Sequence, residues 1–268
     1  MTVRRVKRGA SRRGSLIVVG TGIGGVGQTT LEAAACIEQA DKVFYSVVEP
    51  TTELWLRQLN PAASTLTDLY AEGKDRSKTY AEMTARIVTA VRSGLRVCAV
   101  FYGHPGVLAD TPHRAIRQLR REGYSARMLP GVSADGCLYA DLGINPGENG
   151  IQSFEATDFL MSRRRFDPTS GLILWQVGVI GESDVRIGAI CRPERLRVLT
   201  AVLRRQYPQQ HRVVLYYAAT FPAHPPIVQR VALSRLARTV VHPMAMLYVP
   251  PLGQRPFDRR IARWFDEA

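Results

Sequence analysis

FYGHPGV, Phe101 to Val107, follows directly on the apolar run LRVCAVF, Leu95 to Phe101, and stops it. The run reads as a short buried strand. Gly103, Pro105 and Gly106 cannot continue it, and a helical pattern resumes near Asp110. A turn between a buried strand and a helix stands at the strand's carboxyl end, which is where an open α/β sheet binds ligands. Tyr102 and His104 are the side chains with chemistry on that turn. The same composition also makes a plain tight connection, so the rest of the chain has to decide between the two.

Outward from this turn, strand-like and helical stretches alternate, which predicts a mainly parallel sheet covered on both faces. Strands are expected at Leu16–Val19, Lys42–Ser46, 95–101 and Ala126–Leu129. Helices are expected at Gly27–Gln39, Thr51–Leu59, about Thr79–Ser93, Thr111–Glu122 and Ala134–Leu142, with a polar loop over Ser64–Lys78. GINPGENG, Gly143 to Gly150, is the best boundary segment. Beyond it QSFEAT, LILWQVG, RVVLYYAA and AMLYVPP read as strands with helices between them. The expected organisation is therefore a basic disordered tail (1–13), a parallel-sheet α/β domain (14–147), a smaller mixed α/β domain (148–252) and a helical tail (253–268).

The 268 residues are enough for a large core, and 46% hydrophobic with 22% charged residues is ordinary for a globular chain. No apolar run approaches the roughly 20 residues of a membrane helix. SRRGSL lacks the apolar stretch of an export signal behind it. Cys36, Cys98, Cys137 and Cys191 are far apart, so reduced core thiols in the cytoplasm and no metal are expected. The net charge is +13, and Arg4, Arg5, Lys7, Arg8, Arg12 and Arg13 crowd the start. Without an aromatic-interleaved basic motif, a solvated surface or an acidic peptide partner is expected in preference to nucleic acid.

Two further stretches carry candidate chemistry. Gly20, Gly22 and Gly25 satisfy the GxGxxG dinucleotide spacing, but only Glu49 stands near the place of a ribose-binding acid, so close strand-helix packing is the competing reading. LYAEGKDRSKTY places Arg76 and Tyr80 four residues apart, with Tyr70 just before. On one helix face, a permanently charged guanidinium lowers a neighbouring phenol's pKa and stabilises developing negative charge, though a surface arginine stacked on a tyrosine has the same pattern.

Taken together, the GxG turn, GHPG where relatives have GDPG, PGVSA (Pro130–Ala134) and LYVPP (Leu247–Pro251) resemble the tetrapyrrole methylase superfamily. Within it, TLEAAACIEQADKVFY, FYGHPGVLADTPHRAI, REGYSARMLPGVSADGCLYADL, FEATDFL and LWQVG are similar to the borosin peptide α-N-methyltransferases. The resemblance implies a two-domain fold binding S-adenosylmethionine, and methylation of backbone amides of a ribosomally made peptide. It implies Arg76 and Tyr80 as the catalytic pair, Tyr70 as a further active-site tyrosine, and Tyr102 between cofactor and substrate. It implies a cofactor cradle of His104, Val107, Asp110, Ser133 and Ala134, completed by Gln176, Tyr217, Ala218, Ala245 and Met246. Leu108 and Ala109 stand where relatives carry bulkier apolar residues. Because only LGQRPFDRRIARWFDEA follows LYVPP, the resemblance points to the split form, with a separate precursor peptide bearing an acidic leader, and to a homodimer. A tetrapyrrole or other small-molecule methylase and a non-catalytic peptide-binding scaffold are the alternatives.

Overall fold

The parallel sheet of the first half grows from apolar runs too short for anything but strands. β1 (Ser15–Gly20), β2 (Lys42–Ser46), β3 (Ala63–Thr65), β4 (Arg96–Phe101) and β5 (Ser125–Met128) pair in the order β3-β2-β4-β1-β5, every pair parallel. Between them run α1 (Leu31–Glu38), α2 (Pro50–Leu59), α3 (Arg76–Arg92) and α4 (Asp110–Arg121), and α5 (Ala134–Leu142) follows β5. The computed structural model describes residues 13–184, 191–221, 223–253 and 257–266, so all of the expected tail before Arg13 lies outside them.

Side chains alternate across a strand, and this divides the core in two. Leu16, Val18, Val97, Ala99 and Phe101 face α3 and α4, where they meet Met83, Ile87, Val91, Ile116 and Leu119. Val19, Val43, Tyr45, Cys98 and Val100 face the other way, onto Ala33 and Ile37 of α1 and Leu56 of α2. Each fully buried leucine or isoleucine contributes roughly 1.5–3 kcal/mol. The connection from β1 to β2 passes β4 in one direction, and that from β4 to β5 passes β1 in the other. The order therefore reverses between β1 and β4, and a crevice is expected above their carboxyl ends.

Several boundaries differ from expectation for local reasons. α1 begins at Leu31, capped by the Thr30 side chain, because the preceding residues Gly25–Gln28 form a single 3-10 turn. α3 begins at Arg76, since the Asp75 carboxylate accepts from the amides of Ser77 and Lys78 and caps the helix three residues before the expected start. The segment read as loop holds β3 and a 3-10 turn at Thr67–Leu69.

The chain divides into two compact units between Cys137 and Leu138, inside α5, with residues 183–184, 219–221 and 223–224 returning to the first. The second unit contains α6 (Pro146–Asn149), β6 (Ile151–Glu155), α7 (Ala156–Met161), β7 (Gly171–Trp175), α8 (Pro193–Leu203), β8 (Arg212–Tyr217), β9 (Ile227–Ala232), β10 (Met246–Val249) and α9 (Arg259–Asp266). Its sheet runs β6-β7-β10-β8-β9, parallel only between β6 and β7. Leu172, Leu174, Leu215, Leu247 and Val249 pack there against Phe159 of α7 and Leu196, Leu199 and Leu203 of α8. No helix among the described residues is long and apolar enough to cross a membrane.

Candidate active site

Three strands of the first sheet end in glycines that touch. A Cβ on Gly20, at the end of β1, would lie 2.1 Å from the Gly103 carbonyl oxygen, and one on Gly131, after β5, 2.9 Å from the same atom. Gly22 and Gly103 exchange backbone hydrogen bonds: the Gly103 amide donates to Gly22 (2.9 Å) and the Gly22 amide to Gly103 (3.3 Å). Both have positive φ, +70° and +69°, which L side chains rarely adopt. Backbone thus meets backbone at the junction of β4, β1 and β5, with the Pro105 ring packed beside it.

The glycine-rich loop is closed by one of its own side chains. The Gln28 side-chain oxygen accepts from the amides of both Ile23 and Gly24, each at 2.8 Å, and so uses two of the donors a pyrophosphate would need. A regular helix begins only at Leu31, and Glu49 serves as the backbone cap of α2. Gln28 reaches back only four and five residues, so the closure is local, but a lone glutamine after a glycine run carries no recognised motif for it.

On the turn after β4, the half-buried Tyr102 donates its amide to Ser46 at 3.1 Å. His104 Nδ1 accepts from the Gly106 amide at 3.0 Å, while His113 Nε2 lies 3.0 Å from the Gly106 carbonyl oxygen, so two histidines hold one residue from either side. Val107 closes the turn on the His104 carbonyl oxygen (3.1 Å). Leu108 follows at φ +51° with its side chain exposed, a conformation costing of order 1 kcal/mol or more. Asp110 opens α4 and pairs with Arg114 at 2.6 Å. Ser133 hydrogen-bonds Asp135, and Ala134 is the first residue of α5.

Arg76, Tyr80 and Tyr70 come together at the start of α3. The Arg76 amide and Nε donate to the carbonyl oxygens of Ser183 and Asp184, both at 3.3 Å, a brace from more than a hundred residues away that the sequence does not signal. Tyr70 hydrogen-bonds Tyr80. Partial burial, then the neighbouring Tyr80, push the Tyr70 phenol up to about 12 against the opposing Arg76 charge, although 37% of the residue remains exposed and water screens part of the effect. Tyr70 is therefore a hydrogen-bond donor at working pH. Its contribution to stability is complete below pH 10 and is lost as pH rises toward 12. In an alkaline titration followed by phenolate absorbance, Tyr70→Phe is expected to remove a component near pH 12; loss of a component near pH 10 would contradict this environment.

In the second unit the expected residues gather at one end of the sheet. Gln176 follows β7, Tyr217 and Ala218 end β8, and Ala245 and Met246 open the antiparallel β10, with the Val177 amide donating to the Ala245 carbonyl oxygen at 3.1 Å. Gln176 stands at φ +57°, the second strained residue among those expected to bind cofactor or to flank them. His242, outside the expected set, stacks on Tyr217 with ring centres 3.9 Å apart, and burial lowers its pKa.

A family profile for Tetrapyrrole (Corrin/Porphyrin) Methylases matches residues 15–234. The chain is 40% identical over 257 residues to the methyltransferase/dendrothelin A precursor of Dendrothele bispora, covering 94% of this chain and 61% of that protein. It is 43% identical over 242 residues to the methyltransferase/gymnopeptides precursor of Gymnopus fusipes, covering 89% of this chain and 57% of the relative. The methyltransferase/omphalotin A precursor of Omphalotus olearius is 40% identical with 94% and 61% covered, so the chain spans about three fifths of the length of these relatives. Among solved structures, uroporphyrin-III-C-methyltransferase from Thermus thermophilus superposes with a TM-score of 0.64 at 22% identity, over 89% of this chain and 92% of that one. The methyltransferase CobJ superposes with 0.57 at 17%, over 91% and 97%. With its parallel sheet, glycine junction and mixed second sheet, the chain belongs to the tetrapyrrole methylase family.

Proposed function

We propose that this protein is an S-adenosylmethionine-dependent methyltransferase acting on backbone amides of a ribosomally made precursor peptide. The observation that carries the reading is the Arg76–Tyr80–Tyr70 group at the carboxyl end of the sheet, a set of proton-handling groups suited to a weak acid. Similarity to proteins described as methyltransferase/cyclic peptide precursors supports the same substrate class. In this reading the precursor is a separate polypeptide.

The residues fit the cofactor. The glycine junction leaves bare backbone at the crevice, Ser133 and Ala134 are small, and α4 and α5 begin there, with N-terminal dipoles that favour a carboxylate. Tyr102, His104, Val107, Asp110, Ser133 and Ala134 would hold it at the carboxyl end of the first sheet, and the family resemblance adds Gln176, Tyr217, Ala218, Ala245 and Met246 to the same role. When bound, S-adenosylmethionine supplies the methyl group, which leaves sulfur as the nitrogen-carbon bond forms and gives S-adenosylhomocysteine.

An amide nitrogen is a poor nucleophile because its lone pair is delocalised into the carbonyl. Tyr80 accepts the N–H proton, directly or through water, and Arg76 stabilises the negative charge that develops. Tyr70, held protonated, keeps a donor on Tyr80, and Tyr102 hydrogen-bonds the substrate carbonyl oxygen. To test the class, the enzyme is incubated with tritiated-methyl donor and an extract containing its precursor. Label in the polypeptide fraction is expected; label only in extractable tetrapyrroles would establish the small-molecule reading, and absence of donor binding by calorimetry would establish a scaffold.

A further inference from the structure

α3 and α4 run parallel. The Thr111 hydroxyl meets the Tyr80 carbonyl oxygen (3.4 Å) at their first turns, and Arg92 binds Glu122 through two hydrogen bonds (2.9 and 2.6 Å) at their far ends. Between them lies a solvent-open groove of about 590 Å³. Ala81, Ala85 and Thr89, four residues apart, present small exposed side chains on its floor. Arg114, Arg117 and Arg121, at i, i+3 and i+7, line its wall. Arg114 pairs with Asp110, whereas Arg117 and Arg121 have no acidic partner among the described residues. The acid lining the groove, Glu122, is already held by Arg92. The groove is therefore cationic, and its small floor admits another helix at close range.

Its direction matters as much as its charge. Ala81 and Arg114 mark the end of the groove nearest the amino-terminal turns of α3 and α4, the turns that carry Tyr80 and Asp110. From Ala81 to Arg92 the floor extends about 16 Å, the length of roughly three helical turns. A self-complementary dimer centred here would set the three arginines against the same three, so charge disfavours a second copy.

Resting on the function proposed above, we infer that the α3–α4 groove docks an acidic helical leader of the precursor peptide, whose downstream chain leaves the groove at the Tyr80 end and enters the site. Two probes test it by fluorescence anisotropy at low ionic strength: a fluorescein-labelled 18-residue amphipathic helix with glutamates at i, i+3 and i+7, and the same helix with lysines in their place. The glutamate helix is expected to bind and the lysine helix not. Arg117→Glu with Arg121→Glu is expected to weaken binding at least tenfold, as is Ala85→Trp, which fills the floor without changing charge. With coexpressed precursor the double variant is expected to raise KM about tenfold at unchanged kcat. Equal binding of both helices, unaltered binding by the variants, or a change of oligomeric mass in the double variant would overturn the inference. Helix binding by an enzyme that methylates no peptide would leave the groove standing and refute the proposed function. Methylation with unchanged KM in the double variant would do the reverse.

Discussion

Tyr80→Phe is expected to lower peptide methylation by about 10²- to 10⁴-fold, the range for loss of a positioned proton acceptor, with donor binding by calorimetry unchanged. The ring stays, so its packing beside the α3–α4 core stays, and only the oxygen that hydrogen-bonds Tyr70 is removed. Arg76→Lys is expected to fall in the same direction, because an ammonium keeps the charge but lacks the planar fork that reaches the Asp184 carbonyl oxygen. Methylation at the parental rate in Tyr80→Phe would remove Tyr80 from proton transfer.

Gly20→Ala is expected to destabilise the fold by roughly 3 kcal/mol, the upper range for forcing atoms into a packed interior. The new Cβ would lie 2.1 Å from the Gly103 carbonyl oxygen and 2.8 Å from the Pro105 ring, and neither can yield without separating the ends of β1 and β4. A loss of that size lowers Tm by roughly 6–12 °C. In the proposed site the junction lies beside the donor, so donor affinity is expected to fall as well. Gly27→Ala is the control: no atom lies within 4 Å of its Cβ, and stability should stay within about 0.5 kcal/mol of the parent. Equal melting temperatures for Gly20→Ala and Gly27→Ala would mean that the junction does not constrain the strands.

The parts of this architecture legible in the sequence share a cause. β2 and α5 fall where the apolar pattern places them, because local burial and local period agree there. β3 is three residues long, and β9 presents polar residues along an exposed edge, so neither carries the apolar run or clean alternation of a strand. In the site, Arg76 and Tyr80 are visible as an i, i+4 pair on one helix. The hydrogen bond from Tyr70, the brace from Ser183 and Asp184 and the stack of His242 on Tyr217 all join residues that only tertiary structure brings together. The GHPG turn carried both kinds of information: its composition marked the strand end, while the hold of His104 and His113 on Gly106 depended on the first turn of α4.

The decisive measurement is tandem mass spectrometry of a candidate precursor polypeptide coexpressed with the wild-type enzyme and with Tyr80→Phe. The mechanism predicts increments of one methyl group located on backbone amide nitrogens with the wild type, and an almost unmodified peptide with the variant. Methyl groups on side chains alone, or equal backbone methylation by both enzymes, would contradict it.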